Sequence, residues 1–235
     1  MNWTDLVADE TRLLQKHFTP GRAGKTIDKI VLHHNAGTLT IEDCWQVWQT
    51  RVASAHYQVE TSGRIGQLVN DWDSAWHAGD WEVNLTSIGI EHANNTKAPT
   101  WTISEATLDA GAHLVAALCH AYQLGRPEWG RNVFGHQNFF STSCPGAIAG
   151  PQKAPYMTRA QAYYDGTYPP AQPTKEPETT VAQLTQEQVD QLLADVHTIA
   201  QSVTRGEAGV RGAGDVILWL DKLATAQKKT TTDPN

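Results

Sequence analysis

The pattern of hydrophobic and polar residues predicts several short β-strands in the first two thirds of the chain. Residues 27–34, IDKIVLHH, form an apolar run typical of a buried strand, and residues 86–94, TSIGIEHAN, have the same character. Residues 56–69 lie on both sides of the turn residues Thr61, Ser62 and Gly63, which predicts a pair of short strands.

Two stretches with helical spacing are interleaved with these strands. Apolar residues repeat at helical intervals in residues 41–54 and again in residues 104–124. Ser104 opens the second stretch and is its predicted N-cap, because its hydroxyl can accept a backbone N–H of the first turn. Strands that alternate with helices predict an α/β domain built on a central sheet.

The composition changes at residues 167–180, TYPPAQPTKEPETT, which are rich in Pro, Thr and charge. Such a composition is typical of an extended linker. It divides the chain into a predicted larger domain over residues 1–166 and a small, all-α C-terminal module over residues 181–235.

The C-terminal module carries a short apolar stripe with heptad-like spacing. Thr185 and Gln188 have the spacing of a capping box. The stripe that follows comprises Val189, Leu192, Val196, Ile199 and Val203. A second predicted helix covers residues 215–229. The stripe agrees with two interpretations: a hairpin whose helices pack on each other, or an oligomerisation or cell-surface module.

Charge and composition argue against several classes of function. The formal net charge is −7, the sequence pI is about 5.8 and no long basic run occurs, so nucleic acid is not expected as a partner. Three cysteines do not make a disulfide framework. No apolar run reaches the roughly 18 residues of a membrane span, and residues 1–15 lack the basic and apolar regions of a secretory signal. We therefore expect synthesis in the cytoplasm and no membrane insertion.

The first candidate for chemistry is the loop GHQNFFSTSCPG, residues 135–146, in which His136 precedes Cys144 by eight positions. Imidazole nitrogen and thiolate sulfur are both good zinc ligands, and Pro145 and Gly146 restrict and bend the backbone after the cysteine. With one more His, the pair makes a three-ligand site with an open fourth position, as in catalytic zinc sites. A thiol nucleophile with His136 as its base and an ordinary surface loop are the alternatives.

Two further candidates lie at the predicted strands. His33 and His34 close the apolar run of residues 27–34, and neighbouring strand residues point to opposite faces, so at most one of the two is expected to bind a metal. Glu91 shares a predicted face with Gly89, opposite the isoleucines of the same strand. It is either a half-solvated carboxylate at a sheet edge or a general base beside a metal-bound water.

The stretch SAWHAGDW, residues 74–81, places His77 between Trp76 and Trp81. Its aromatic faces and polar tip suit a sugar–peptide ligand, but Trp76 is equally suited to a place over the core. The other histidines outside the motifs are interpreted as structural. They are His17, His92, His113, His120 and His197.

Five segments, in chain order, carry a resemblance to a known family: IVLHHNAG, SAHYQVETSGRIGQLV, AWHAGD, TSIGIEHAN and GHQNFFSTSCPG. Together they resemble the zinc N-acetylmuramoyl-L-alanine amidases of the amidase-2 family, which share their fold with peptidoglycan recognition proteins. The resemblance covers about residues 20–165. It implies a mixed central β-sheet flanked by helices, with Zn²⁺ as cofactor in a groove on one face and bacterial peptidoglycan as partner.

The resemblance also implies roles for individual residues. The first His of the strand motif, His33, and the pair His136 and Cys144 are the implied zinc ligands. Glu91 is the implied catalytic acid–base group. Thr142, two positions before the cysteine, is implied to support the tetrahedral intermediate.

The predicted substrate-binding residues are His34, Trp76 and His77. One position departs from the family pattern, because Ala55 stands where other branches have a catalytic Tyr. Tyr57 aligns with an apolar position, so the catalytic role falls on Glu91. His56 is interpreted as a structural residue or a support for the ligands.

The implied reaction is hydrolysis of the amide between N-acetylmuramic acid and L-alanine in peptidoglycan. A catalytic domain, a linker and a small module without a readable signal are the plan of a phage endolysin, held in the host cytoplasm until lysis and then acting on the cell wall. A bacterial autolysin for wall turnover and a non-catalytic peptidoglycan-binding protein are the alternatives. The apolar stripe of residues 189–203 adds the expectation of a homo-oligomer through the C-terminal helices.

Overall fold

The computed structural model describes residues 1–168. Most of the predicted linker at residues 167–180 and all of the C-terminal module at residues 181–235 lie outside the described residues, together with the apolar stripe and His197. Within residues 1–168, no helix is both long and apolar enough to cross a membrane.

The described residues form short strands and helices, numbered here in chain order. The strands are β1 (Glu10–Thr11), β2 (Phe18–Thr19), β3 (Lys29–Leu32), β4 (Tyr57–Val59), β5 (Ile65–Gln67), β6 (Ser74–Ala75), β7 (Ser87–His92) and β8 (Val133–Gly135). The helices are α1 (Ile41–Val47), α2 (Trp81–Thr86), α3 (Glu105–Ala121) and α4 (Lys153–Tyr164). Two 3-10 helices, His136–Asn138 and Gly146–Ala149, lie between β8 and α4.

Six of these strands form one mixed sheet in the order β1-β5-β4-β7-β3-β8, and β2 pairs with β6 apart from it. The β4–β5 pair is antiparallel, and the other neighbouring pairs of the sheet are parallel. The prediction of an α/β fold with a mixed central sheet flanked by helices is confirmed for the described residues.

The two faces of this sheet carry different side chains. Alternate residues of β3, β4 and β7 point toward α3 and α4 and form an aliphatic core with them, in which Ile30, Ile88 and Ile90 are fully buried. The residues of opposite parity, Gln58 and Glu91 among them, face the other side of the sheet. That second face holds the polar side chains and positions the candidate site.

The predicted helix of residues 104–124 is confirmed with slightly narrower bounds. The Ser104 hydroxyl accepts the Thr107 N–H at 3.0 Å, as its predicted N-cap role requires, and α3 runs from Glu105 to Ala121. Leu114 and Leu118, one turn apart, are fully buried against the sheet. The periodicity of the apolar residues is therefore the cause of the packing.

The predicted helix of residues 41–54 is too long, since α1 ends at Val47. Thr40 and Asp43 form a reciprocal capping box at its start. The Trp48 N–H closes the last turn on the carbonyls of Cys44 and Gln46. Beyond it, β-branched residues such as Val52 favour a helix poorly, and the chain turns away.

The hydrophobic pattern does not predict β1, β2, β6, β8, α2 or α4. These strands have only two or three residues, too few for a period to show. Helix α2 has six residues, and α4 contains Pro155 in its first turn, where the missing N–H costs no helical hydrogen bond. Short elements of this kind depend on pairing with strands that are distant in sequence.

Candidate metal centre

The C-terminal ends of two neighbouring parallel strands bring two histidines together. Strands β3 and β8 pair with Leu32 opposite Gly135. His33 and His136, the next residue of each segment, therefore leave the same end of the sheet side by side. Their ring centroids lie 4.5 Å apart.

Cys144 reaches the same point from the loop that follows His136. The Gln137 N–H donates to the Cys144 carbonyl at 3.0 Å, which folds the loop back on its own beginning. Cys144 Sγ lies 3.7 Å from His33 Nδ1 and accepts the His34 N–H at 3.4 Å. The candidate ligand atoms of His33, His136 and Cys144 all lie within 4.8 Å of one another.

The backbone after Cys144 requires the glycine that the sequence provides. Gly146 has a φ of +62°, and a Cβ atom there would lie 2.8 Å from Trp101 Cβ and 3.2 Å from His34 Cε1. A side chain at this position would be strained and would displace the loop that carries Cys144.

The donor set fits a zinc ion. His136 Nε2 is buried and has no hydrogen-bond partner, while the same ring bonds the backbone of Ala78. Burial lowers the pKa of His33 well below 6.5 and also lowers that of His136, so both rings are neutral and offer lone pairs. Zinc-bound nitrogen and sulfur in a tetrahedral site lie about 3.6 Å apart, and the distance from His33 Nδ1 to Cys144 Sγ is 3.7 Å.

The surroundings of Cys144 do not favour an activated nucleophile. Burial, together with the negative charge of Glu91, raises the pKa of the Cys144 thiol. A reactive cysteine needs the opposite shift, which a protonated imidazole normally provides. The pKa values of His136, the base in that alternative, and of His33 and His34 are all lowered, first by burial, so none of these rings supplies that positive charge.

Glu91 lies on an inner strand of the sheet. Strand β7 has β4 on one side and β3 on the other, so Glu91 is not a residue of the sheet edge. Its Oε2 accepts a hydrogen bond from Asn35 Nδ2 at 3.0 Å. Burial raises the pKa of Glu91 to about 7, while the Asn35 hydrogen bond acts to lower it. A carboxyl group with such a pKa can both accept and return a proton near neutral pH.

An amide pair that the sequence analysis misses holds Glu91 in place. Asn35 Nδ2 also donates to Gln58 Oε1 at 3.0 Å, and Gln58 Nε2 donates to Asn35 Oδ1 at 2.9 Å. Because Asn35 Oδ1 is used by Gln58, the amide N–H side of Asn35 must face Glu91. Gln58 is the direct partner of Glu91 in the β4–β7 register. In the sequence, the signals for this pair were an amide residue within an apolar strand and an Asn directly after the histidine pair.

A cavity of about 280 Å³ contains the candidate ligands and Glu91 among its lining residues. Thr142 lies in its wall, where Thr142 Oγ1 accepts the Cys144 N–H at 3.2 Å. This bond leaves the hydroxyl hydrogen of Thr142 available for an acceptor in the cavity. The one cationic side chain among the described lining residues is Arg51.

All three predicted substrate-binding residues, His34, Trp76 and His77, belong to the lining of this cavity. His34 Nδ1 lies 3.1 Å from Asn94 Oδ1, and Asn94 Nδ2 donates to the carbonyls of Trp101 and Thr102. His34 Nδ1 is therefore the donor, and its Nε2 is an acceptor. Trp76 is half-buried, with its indole N–H donating to Thr19 Oγ1 at 3.0 Å.

His77, the third predicted substrate-binding residue, has a different position. It is buried, with Nδ1 3.0 Å from His33 Nε2 and Nε2 3.1 Å from Ser87 Oγ. Both ring nitrogens are occupied by protein groups. His77 also belongs to the cavity lining, so its role in substrate binding stays a prediction, although neither ring nitrogen is available to a ligand.

Tyr57 and His92 have structural roles. Tyr57 is buried in the aliphatic core and its hydroxyl donates to Asp71 at 3.0 Å, so it has no access to the cavity. His92 bonds the His33 carbonyl at 2.8 Å and the Tyr156 hydroxyl at 2.9 Å, and its structural interpretation is confirmed.

The remaining histidines with a structural interpretation also make contacts within the described domain. His56 is fully buried, and its Nδ1 accepts the Gly89 N–H at 3.0 Å. His17 and His120 bond backbone carbonyls, at 2.8 Å and 3.0 Å. The His113 ring stacks on Trp3.

Comparison with known proteins gives one family and a shared fold. The profile of the Amidase_2 family, described as N-acetylmuramoyl-L-alanine amidase, matches residues 23–147. The curated N-acetylmuramoyl-L-alanine amidase A of Achromobacter lyticus is 31% identical over 99 residues, which are 41% of this chain and 54% of that protein. The chain thus spans about half the length of this curated relative.

Solved structures with low sequence identity have the same fold. PlyL superposes with a TM-score of 0.54 at 16% identity, over 65% of this chain and 96% of that chain. A mutant endolysin from Bacillus subtilis gives a TM-score of 0.52 at 19% identity, over 66% of this chain and 99% of that chain.

Proposed function

We propose, since the chain belongs to the Amidase_2 family of N-acetylmuramoyl-L-alanine amidases, that it hydrolyses the amide bond between N-acetylmuramic acid and L-alanine in bacterial peptidoglycan. The observation that carries this proposal is the grouping of His33, His136 and Cys144 in one cavity with Glu91. The curated relative is named for the same activity.

In this proposal the three grouped residues hold a zinc ion. Two neutral imidazoles and a cysteine match the donor types of catalytic zinc sites, which keep a position open for water or substrate. When bound, zinc supplies a Lewis acid for the scissile carbonyl and lowers the pKa of its water from 15.7 to about 7.

The protein's own residues then handle the proton and the developing charge. Glu91 takes the proton from the attacking water and delivers it to the nitrogen of the departing L-alanine. Asn35 keeps the carboxylate oriented through its 3.0 Å hydrogen bond. The Thr142 hydroxyl donates to the oxygen of the tetrahedral intermediate, a contribution on the order of 3 kcal/mol for a preorganised donor.

The cavity wall suits a ligand that joins sugar and peptide. The face of Trp76 offers an apolar surface of the kind that sugar rings pack on. His34 Nε2 accepts a peptide N–H, and the Arg51 guanidinium attracts the carboxylates of a stem peptide. These contacts fix the orientation of the amide before it is cut.

Mass spectrometry of purified cell wall after digestion tests the proposed function. Hydrolysis at the proposed bond yields stem peptides with a free L-alanine amine and glycan strands with an unmodified lactyl carboxyl group. Products cut within the sugar chain or within the peptide would refute the assignment. A non-catalytic peptidoglycan-binding protein would bind the wall and release no product.

We also propose that the enzyme serves phage-induced lysis of the host cell. Support comes from the sequence plan, in which the amidase-like domain is followed by the Pro/Thr-rich residues 167–180 and a predicted helical module. Expression of the chain alone should leave host cells intact, and co-expression of a membrane pore should lyse them. Lysis that needs no pore, or wall turnover during normal growth, would favour the autolysin alternative.

The role proposed for residues 181–235 is wall binding or self-association. The apolar stripe of residues 189–203 supports it, since such a stripe is stable only when another surface covers it. Light scattering separates the two: an oligomer of the full chain favours self-association, and a monomer that binds wall more tightly than residues 1–168 favours wall binding.

A further inference from the structure

His77 lies directly behind the candidate ligand His33 and has no part in the proposed chemistry. Its Nδ1 is 3.0 Å from His33 Nε2, and the two ring planes are nearly perpendicular at 85°. On the other side of the ring, His77 Nε2 is 3.1 Å from Ser87 Oγ. Ser87 Oγ in turn lies 2.5 Å from the Val83 carbonyl oxygen.

The Val83 carbonyl is the last group in this series of hydrogen bonds, and it determines the direction of each of them. A carbonyl oxygen only accepts, so the Ser87 hydroxyl must give its single hydrogen to Val83. Ser87 Oγ is then the acceptor for His77, which places the His77 hydrogen on Nε2. A neutral imidazole has one N–H, so His77 Nδ1 is an acceptor and must receive its hydrogen from His33 Nε2.

These hydrogen-bond directions hold for a neutral His77, and the surroundings of the ring favour the neutral form. The ring is buried, and burial disfavours the charged imidazolium. Its neighbours are the rings of His33 and His56, at centroid distances of 5.0 Å and 5.8 Å. The Arg22 guanidinium, which is 2.9 Å from His56 Nε2, adds a positive charge nearby. Within residues 1–168, neither ring nitrogen of His77 is hydrogen-bonded to a carboxylate.

The backbone around His77 is shaped to hold the ring in this orientation. Asn84 Oδ1 accepts the N–H groups of both His77 and Ala78, at 3.1 Å and 2.8 Å. The ring lies across Gly89 of β7, where a Cβ atom would come within 2.6 Å of His77 Cγ. The glycine is therefore needed for the ring to lie against the strand.

We propose that His77 and Ser87 are positioning residues that fix the tautomer of His33, so that Nδ1 is the nitrogen that binds the metal. His33 Nδ1 is the nitrogen that faces Cys144 Sγ, at 3.7 Å. Without the His77 acceptor, the hydrogen of His33 is free to occupy Nδ1, the position that the metal requires. This inference rests on the proposed function and names residues beyond the ligand set.

The first test measures the zinc dissociation constant of the full chain by competition with a chelator. His77→Leu should weaken zinc binding about 10- to 100-fold, the usual effect of removing a partner of a ligating histidine. His77→Asn should bind zinc more tightly than His77→Leu, because the amide oxygen can lie where Nδ1 was. Ser87→Ala should weaken binding less than His77→Leu.

His113→Leu, the same substitution at a histidine that stacks on Trp3 outside this cluster, is the matched control and should bind zinc like wild type.

The second test reads the tautomer directly in the unsubstituted protein. Long-range nitrogen–proton NMR spectra of the zinc-loaded chain should show the His33 hydrogen on Nε2 and the His77 hydrogen also on Nε2. A hydrogen on His33 Nδ1, or wild-type zinc affinity in a folded His77→Leu variant, would overturn the proposal. Thermal unfolding of each variant shows whether it is folded.

Failure of the proposed function and failure of this inference give different experimental results. A wild-type chain that binds zinc but releases no muropeptide contradicts the proposed activity and leaves the tautomer assignment to the NMR measurement. A wild-type chain that cleaves the amide while His77→Leu keeps full zinc affinity contradicts this inference alone. A wild-type chain that binds no zinc contradicts both.

Discussion

The two faces of strand β7 differ in how strictly each residue is determined. Ile88 and Ile90 point into the aliphatic core, where they are fully buried among side chains of α3. On the opposite face of the same strand, Gly89 lies against the His77 ring and Glu91 accepts from Asn35. The core face requires apolar volume, whereas the site face requires one particular atom at each position. Stability and chemistry are therefore separable by substitutions at adjacent residues.

The two faces also differ in the free energy of burying their side chains. Burial of each isoleucine is favourable by about 1.5–3 kcal/mol. Burial of Glu91 is unfavourable for its charged form, which is why its pKa rises to about 7. The Asn35–Gln58 amide pair offsets part of that cost. The part that is not offset keeps the pKa of Glu91 near 7, so the carboxyl group can accept and release a proton near neutral pH.

The largest effect is expected from Cys144→Ser, which should remove bound zinc and all measurable amidase activity together. A neutral hydroxyl is a far poorer zinc ligand than a thiolate. Metal analysis and muropeptide release on the same sample check this. Cys119→Ser, at a buried free cysteine of α3, is the control for loss of a thiol and should keep its zinc. Full zinc content in Cys144→Ser would refute the ligand assignment.

Glu91→Gln should keep zinc and lose turnover by roughly 10²–10⁴-fold, the usual contribution of a positioned acid–base group. The uncharged amide is easier to bury, so the free energy of unfolding should not fall. Rates on soluble muropeptide, with metal content measured alongside, provide the test. Glu128→Gln, at an exposed carboxylate paired with Arg131, should have wild-type kinetics. Near-normal turnover in Glu91→Gln would assign the base to another residue.

Ile90→Ala, one residue away, should show the reverse behaviour. It should lower the free energy of unfolding by about 2–5 kcal/mol through a core cavity, while the folded fraction keeps its turnover. Denaturant unfolding measures the first quantity and initial rates at low temperature the second. Val52→Ala removes apolar atoms from an exposed side chain, so its effect on stability should be within about 0.5 kcal/mol. A stable Ile90→Ala variant would mean that the core face is not tightly packed.

The smallest effect concerns the pH profile of kcat/KM. Glu91 must be ionised to accept a proton, so activity is lost as the pH falls through its pKa, which burial raises to about 7. A bound zinc ion lowers this value, so the acid limb should have its midpoint at or below about 7. Asn35→Ala removes a hydrogen bond that lowers the pKa, and the limb should therefore move to higher pH. An unchanged limb in this variant would show that Asn35 does not tune Glu91.

Several parts of the site were predictable because they depend on local sequence. The alternation of TSIGIEHAN placed Glu91 on the face opposite Ile88 and Ile90, and the topology agrees. The ordered motifs marked His33, His136 and Cys144 before any contact between them was visible. The structure brings these three together, although the strand that carries His136 to the site is too short to leave a periodic signal.

The parts that were missed depend on register between distant segments. The Asn35–Gln58 pair exists because β4 lies beside β7 with Gln58 opposite Glu91. His77 was predicted to contact substrate because its neighbours in sequence are aromatic. The partners of its ring nitrogens are His33, directly after β3, and Ser87, at the start of β7. Hydrogen-bond networks of this kind are set by tertiary packing, which single-sequence patterns do not contain.

The pairing of β8 with β3 has a consequence for the growing polypeptide. Cys144 and His33 are 111 positions apart, and β8 forms the outer edge of the sheet beside β3. Until the ribosome has released the residues of β8, the apolar strand β3 presents unpaired backbone groups to its surroundings. Such an edge is a template for intermolecular pairing. Chains truncated before Val133 should therefore accumulate as aggregates, and the full chain should be recovered as dispersed protein.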